Sequence, residues 1–208
     1  MRQSGLFITF EGIDGSGKST QVKQLAQRLG DAGYDVVLSR EPGGSKGAEE
    51  IRSLVLEGAP DRWSAETEIL LFTAARRDHM EKVILPALED GKILICDRFA
   101  DSTRMYQGLS RGDLRKTVDA LTDLMITRQP DLTILIDLEP EIGLNRAKAR
   151  NTKEERFEDF GIMLQQQMRA GFLKLAQECS DRFRTVNGDQ SVEKLSEDIY
   201  AHVYKAMT

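Results

Sequence analysis

The run Gly12-Ile13-Asp14-Gly15-Ser16-Gly17-Lys18-Ser19 has the spacing G-x-x-x-x-G-K-S. Glycines without Cβ atoms let such a loop curl around phosphate oxygens and turn its N–H groups inward. Lys18 is long enough to reach the β- and γ-phosphates, and the Ser19 hydroxyl is placed to hold Mg²⁺. Thr20 carries the loop into the next element. The chemistry this spacing predicts is the binding of a nucleoside triphosphate. Such a loop must be held between a strand and a helix. Residues 6–10 read as a short buried strand. Residues 19–29 read as an amphipathic helix with Val22, Leu25, Ala26 and Leu29 on its apolar side. The start of that helix adds partial positive charge where phosphates would lie.

Further residues carry chemistry only in context. Two apolar runs end in an aspartate, Asp97 and Asp137. Ligands of open α/β sheets bind at the carboxyl ends of strands, so either could steady Mg²⁺ opposite Ser19. Asp97 is the better candidate because Arg98 follows it, and a cation there suits a site where phosphoryl oxygens gather charge. Phe72 and Arg76 stand four apart and share a helix face, a pairing able to stack a flat base and donate to its edge. A core phenylalanine beside a surface arginine has the same spacing. Ser102 and Tyr106, and Thr103 and Gln107, repeat the interval of four. Asn151-Thr152-Lys153-Glu154-Glu155-Arg156 is wholly polar. It reads either as a solvated loop or as a lid carrying Arg150, Lys153 and Arg156 over a triphosphate.

The elements that must position these residues alternate. Strands are expected at 35–39, 93–96 and 132–136, with a weaker one at 183–186; the 93–96 and 132–136 runs are continuously apolar, as in a parallel sheet buried on both faces. Helical patterns occupy roughly 46–57, 64–88, 113–127, 140–150, 158–178 and 191–206. The helix around 64–88 is apolar on every side at 69–72 and is expected to lie deep. This order implies an α/β three-layer fold with a central parallel sheet of about five strands and right-handed crossovers. A chain of 208 residues suits one domain over 1–208 with a small lid segment at about 150–158.

Composition narrows the partners. The net charge of −5 and the lack of a long basic run argue against bulk nucleic-acid binding. The N-terminal apolar stretch ends at Glu11, too short for a signal peptide, and no apolar run approaches a membrane span. Two cysteines without metal-like spacing fit a reducing, cytoplasmic compartment, with Cys96 a buried inert thiol. The two histidines, His79 and His202, read as helix surface residues.

Taken together, the loop at 12–19, Arg40-Glu41-Pro42-Gly43-Gly44, Phe72-x-x-x-Arg76, Asp97-Arg98-Phe99 and Ser102-Thr103-x-x-Tyr106-Gln107-Gly108 form an ordered series. So arranged, the sequence closely resembles thymidylate kinases of the bacterial kind, and the likeness continues through Pro130-Asp131-Leu132 and Arg146 to Arg156. The resemblance implies a homodimer that transfers the γ-phosphoryl group of ATP, with Mg²⁺, to dTMP. It implies that Phe72 stacks on thymine, that Arg76 meets the O4 edge, and that Thr103 and Gln107 lie near the base, with Ser102 in the same acceptor site. Arg52 and Arg98 would hold the acceptor phosphate, Tyr106 would press against the sugar where a 2′-hydroxyl would sit, and Asp14 would approach the 3′-hydroxyl. Some members of that family carry an arginine in the phosphate loop, and others carry basic residues in the lid. With Gly15 in the loop and Arg146, Arg150, Lys153 and Arg156 beyond, this chain resembles the second type. The aspartate–arginine pair is often followed there by tyrosine or histidine; here it is Phe99.

Two rivals remain. A deoxynucleoside kinase, or a kinase for another monophosphate, would share the loop, with Asp97 serving as base toward a hydroxyl acceptor in the former. A GTP-binding switch protein would carry N-K-x-D and a second D-x-x-G, and the sequence has neither.

Overall fold

The computed structural model describes residues 5–59, 62–109, 112–148 and 161–207. Five strands make the sheet: β1 (Leu6–Glu11), β2 (Val36–Arg40), β3 (Ile93–Asp97), β4 (Leu132–Asp137) and β5 (Phe183–Asn187). Their order is β2-β3-β1-β4-β5, and every neighbouring pair is parallel. The helices between them are α1 (Lys18–Asp31), α2 (Lys46–Leu56), α3 (Ala65–His79), α4 (Leu85–Glu89), α5 (Ala100–Tyr106), α6 (Arg115–Met125), α7 (Pro140–Lys148), α8 (Gly161–Glu178) and α9 (Val192–Met207). This is the three-layer α/β fold expected from the alternating pattern, including the weak fifth strand.

Alternation along the central strands builds two cores. Ile8 and Phe10 of β1, with Ile95 and Ile134, pack toward Val22, Leu25 and Leu29 of α1 and toward Ile199 of α9. Phe7, Leu94 and Cys96 face the other way, onto Met80, Ile84 and Phe99. A third cluster joins Ile13 of the loop to Met105 of α5 and to Met168 and Phe172 of α8. Each such large apolar side chain contributes roughly 1.5–3 kcal/mol on burial, so the middle of the sheet is rigid. β1 sits at its centre with β3 and β4 on either side, and its carboxyl end is therefore a natural crevice for a ligand.

Three expectations need correction. The helix read over 64–88 is not uniform: α3 widens into a π-helical segment at Met80–Ile84 before α4. Nor is it deep on every side, since Ile69 and Phe72 are buried while Leu70 is 57% exposed. His79 is not on the surface but completely buried, because its partners come from β2 and the loop after it. α5 is an element the helical patterns passed over, a short helix signalled only by the paired intervals at 102–107.

Candidate active site

The phosphate loop follows β1, and Gly17 opens α1 from a left-handed conformation without any side-chain cap. The helix N-terminus is thus left for an external anion. Lys18 folds back over the loop: its Nζ donates to the carbonyls of Ile13 at 2.8 Å and Gly12 at 3.0 Å. Burial and the nearby Arg98 lower its pKa to about 8, with Asp14, Asp97 and Glu11 pulling the other way. Ser16 and Ile13 are buried inside the turn, whereas Thr20 is exposed on the first turn of α1. Gly15 has φ +78°, and a Cβ there would run into the backbone carbonyl of Gly143 at the start of α7. A side chain at this place would have to displace one element from the other.

Of the two strand-ending aspartates, Asp97 meets the loop. The Ser19 hydroxyl donates to Asp97 Oδ2 at 2.5 Å. Asp137 is engaged by Arg169, whose Nε and Nη2 donate to it at 2.6 and 3.0 Å. A serine hydroxyl and a carboxylate side by side, next to a lysine that follows phosphate, form a hard-oxygen donor pair. Mg²⁺ is bound in this way, through one or two protein oxygens with phosphate and water completing the shell. Among the described residues no cluster of three or more carboxylate, histidine or cysteine ligands occurs, so an all-protein metal cage is not offered.

Arg98 turns away from its neighbour Asp97 onto Asp14. Its Nη2 donates to Asp14 Oδ1 at 2.5 Å and to the Tyr106 hydroxyl at 3.1 Å, while Nη1 reaches Ser102 Oγ at 3.0 Å and the Gly12 carbonyl at 3.3 Å. Tyr106 in turn donates to Asp14 Oδ2 at 2.7 Å. Burial alone would raise the Asp14 carboxyl, but Arg98, Lys18 and the Tyr106 hydroxyl outweigh it and hold it below the usual range. Burial and Asp14 push the Tyr106 phenol well up, so it stays protonated and donating. Arg98 is the one non-glycine residue at positive φ among those described, at 70°, a conformation costing on the order of 1–3 kcal/mol. Four hydrogen bonds offset that cost and fix the guanidinium at the mouth of the loop.

Sequence reasoning passed over Glu11. It ends β1, is fully buried, and accepts from the backbone N–H of Phe99 at 2.8 Å and Ser102 at 3.2 Å. The Ser102 hydroxyl lies 2.6 Å from its other oxygen. A carboxylate thereby occupies the N-terminus of α5, the favourable end of a helix, and Phe99 contributes its backbone and its ring rather than a polar group. Burial and the nearby Asp101 raise the Glu11 carboxyl to about 7. The available signal was a charged residue closing an otherwise apolar strand.

The second half of the site lies across the crevice. Phe72 and Arg76 both line a cavity of about 320 Å³ that also touches Arg52, Thr103, Tyr106 and Gln107. Arg76 is 3% exposed; its Nε donates to Glu41 Oε2 at 2.6 Å and its Nη2 to Thr103 Oγ1 at 3.0 Å. Gln107 Nε2 donates to Glu68 Oε2 at 3.3 Å, and Arg52 Nη1 to the Pro42 carbonyl at 2.5 Å. One wall of the cavity is therefore an aromatic ring with a buried guanidinium beside it. The same cavity is lined by Asp14, Gly15, Gly17, Lys18 and Ser19 of the phosphate loop and by Asp97 and Arg98. Arg146, on α7, donates to the Gly188 carbonyl at 3.2 Å. Arg150, Lys153 and Arg156 lie outside the described residues.

A cavity that joins a triphosphate loop to an aromatic–arginine wall suits two nucleotides meeting end to end, and the comparisons with known proteins agree. The family model for thymidylate kinase matches residues 10–199. The chain belongs to the thymidylate kinase family. It is 68% identical over 199 residues to the thymidylate kinase of Ruegeria pomeroyi, covering 96% of this chain and 94% of that protein. The thymidylate kinase of Dinoroseobacter shibae is 58% identical, with 98% of each chain covered. The crystal structure of thymidylate kinase from Ehrlichia chaffeensis superposes with a TM-score of 0.80 at 33% identity, over 96% of this chain and 99% of that one. The thymidylate kinase fold thus accounts for the five-stranded sheet, and the chain is a nucleoside monophosphate kinase.

Proposed function

We propose that the two ends of the cavity divide the family's reaction, transfer of the γ-phosphoryl group of ATP to dTMP, between them. The observation that carries this reading is that one cavity is lined both by Lys18, Ser19 and Asp97 and by Phe72 and Arg76. At the donor end the backbone from Gly12 to Thr20 receives the triphosphate, and Lys18 leaves the loop carbonyls for the β- and γ-phosphates. Ser19 and Asp97 would hold Mg²⁺, which would supply positive charge against the phosphates. At the acceptor end Phe72 stacks on thymine, Arg76 donates to its O4 edge, and Thr103 and Gln107 close around the base. Arg52 and Arg98 hold the acceptor phosphate.

Asp14, held between Arg98 and Tyr106, marks the place of the 3′-hydroxyl. The Tyr106 ring beside it leaves the 2′ position no room for an oxygen. The acceptor needs no general base, because the second ionisation of a phosphate monoester lies near pH ~6. What must be overcome is repulsion between two phosphates, and Lys18, Arg98 and Arg52 do this while holding the reacting atoms in line. Arg150, Lys153 and Arg156 are assigned on sequence alone to the ATP side, as cations brought over the transferring group, with Arg146 at their base.

The protein is further proposed to work as a homodimer through α3 and α6. Leu70 and Arg77 lie on one face of α3, Arg77 Nη1 donates to the Met125 carbonyl at 2.8 Å, and Leu70 and Leu124 are 57% and 76% exposed. Exposed leucines on two helices that touch each other suit a second copy. Among the described residues no helix is long and apolar enough to cross a membrane.

A coupled ADP-release assay over nucleoside monophosphates tests the reading. dTMP is expected to be the best acceptor and UMP a poor one. Equal rates on UMP and dTMP would remove Tyr106 as the sugar filter, and a preference for AMP or GMP would remove the base site.

A further inference from the structure

His79 has no place in the roles given so far, yet it is among the most buried polar residues of the chain. It stands at the end of α3, where the helix widens into the π-helical turn at Met80–Ile84; such turns frequently mark functional positions. Its Nδ1 lies 3.0 Å from Glu41 Oε1 and its Nε2 2.6 Å from Ser39 Oγ. The other oxygen of Glu41 receives Arg76 Nε at 2.6 Å. Glu41 and Arg76 are each 3% exposed on their side chains. A carboxylate beside a guanidinium is an acceptor, so the fitting tautomer carries its proton on Nδ1 and takes the Ser39 hydroxyl proton at Nε2. Gly44 closes over this pair, since a Cβ there would collide with His79 Nε2 and Ser39 Oγ. Ser39, His79, Glu41 and Arg76 thus form one hydrogen-bonded line from β2 to the wall of the cavity.

We propose that His79 is a positioning residue for base recognition: through Glu41 it fixes the plane of the Arg76 guanidinium, and thereby sets the preference for a pyrimidine with an acceptor rather than a donor at position 4. The inference rests on Arg76 facing that edge of thymine. Without a donor at Oε1 the Glu41 carboxylate loses one of its two fixed partners, and with it the orientation that holds Arg76 Nε. A guanidinium held in one plane rewards the O4 acceptor of thymine and rejects the amino group of cytosine. A loosened one does neither. Thr103 Oγ1 at 3.0 Å from Nη2 and the Phe99 ring, 5.1 Å from the guanidinium carbon, remain, but neither replaces the charge-assisted bond that fixes Nε.

The test compares KM and kcat on dTMP, dCMP and ATP for the full chain and four variants. His79→Gln keeps a polar side chain but moves its amide away from Glu41; it is expected to raise KM for dTMP about tenfold, to shift KM for ATP less than twofold, and to narrow the dTMP-over-dCMP preference at least tenfold. His79→Asn places an amide N–H where Nδ1 was and is expected to recover most of that loss. Glu41→Gln tests the same line without altering the helix, and carries the test if the His79 variants do not fold; it is expected to match His79→Gln. Arg76→Ala separates the two layers of the argument. If Arg76→Ala leaves KM for dTMP unchanged, the base reading and this inference fall together. If Arg76→Ala weakens dTMP as expected while His79→Gln, or Glu41→Gln in its place, keeps the wild-type KM and preference, this inference alone is overturned. Equal losses on dTMP and ATP overturn it as well, since they report a general packing defect.

Discussion

A single carboxyl can bind the core of this protein to solution pH. Glu11 is held at about 7, raised first by burial and next by Asp101, with Arg98 and the Ser102 and Phe99 hydrogen bonds partly opposing. Its folded value lies above the unfolded one, so the folded protein takes up a proton between the two. Its contribution to stability is full below about pH 4.5 and is lost as pH rises through about 7. Wild type should therefore lose stability relative to Glu11→Gln between pH 5 and pH 8, by at most about 3 kcal/mol, which is several degrees in Tm for a chain of this size. Asp14 and Asp101 titrate in the opposite sense and both proteins keep them, so the difference reports Glu11 together with its interactions with Asp101 and Lys18. A gap in melting temperature that stays constant over this range would mean that Glu11 is ionised throughout.

At this scale the sequence was legible where the chemistry is local. The loop spacing singled out Lys18 and Ser19 and the interval of four Phe72 and Arg76, and all four line one cavity. His79 was misread because its partners, Ser39 and Glu41, lie about forty positions away. No helical period reveals a polar residue satisfied from another element.

α5 shows how one short element is held on two sides. Glu11 occupies its N-terminus, and Asp101 anchors its back. Arg182 donates to both Asp101 oxygens, at 2.7 and 2.9 Å, and Arg104 adds a bond at 2.7 Å while also reaching Asp119 of α6 at 2.6 Å. The two guanidiniums hold the Asp101 carboxyl below its usual range against the burial that would raise it. Asp101→Ala would leave both arginines without their shared partner. It should cost about 3–5 kcal/mol, read as a fall in the midpoint of urea unfolding, and should raise KM for dTMP by displacing Ser102, Thr103 and Tyr106. A midpoint within error of wild type would show that solvent replaces the network at no cost.

The phosphate loop and α7 make a second pair of constrained elements. Because Gly15 abuts the Gly143 carbonyl, the loop has no room for a second cation at position 15, and positive charge on the transferring group beyond that of Lys18 must come from elsewhere. Arg156 is the proposed source. Arg156→Ala should lower kcat more than it raises either KM, since charge supplied to the migrating group acts in the transition state. Unchanged kcat with both KM values raised would make Arg156 a ground-state contact.

Over the whole molecule, strand alternation and helix periods fix the layers, but not which strands are neighbours. β1 lies between β3 and β4, so both aspartate-ending strands flank the loop, yet Asp97 meets Ser19 while Asp137 is held by Arg169. Nor could the period at 69–72 separate the side of α3 that faces the core from the side left exposed. A run apolar on every side reads as deep burial, whereas the structure buries Ile69 and Phe72 and exposes Leu70.

That division links assembly to catalysis. Phe72 and Arg76, proposed to meet the base, stand on the same helix as Leu70 and Arg77, proposed to meet the second copy. Leu124, 76% exposed at the end of α6, extends the second surface. A charge introduced there faces desolvation on association without disturbing the monomer core, whose two large clusters lie on the sheet. On the proposed assembly, wild type should be a dimer by light scattering and the double substitution Leu70→Glu and Leu124→Glu a monomer at the same concentration. Its KM for dTMP should rise severalfold as α3 loses its outer support, with KM for ATP little changed. If the double variant stays dimeric the copies meet elsewhere, and if it is monomeric with unaltered kinetics α3 holds the base wall without its partner.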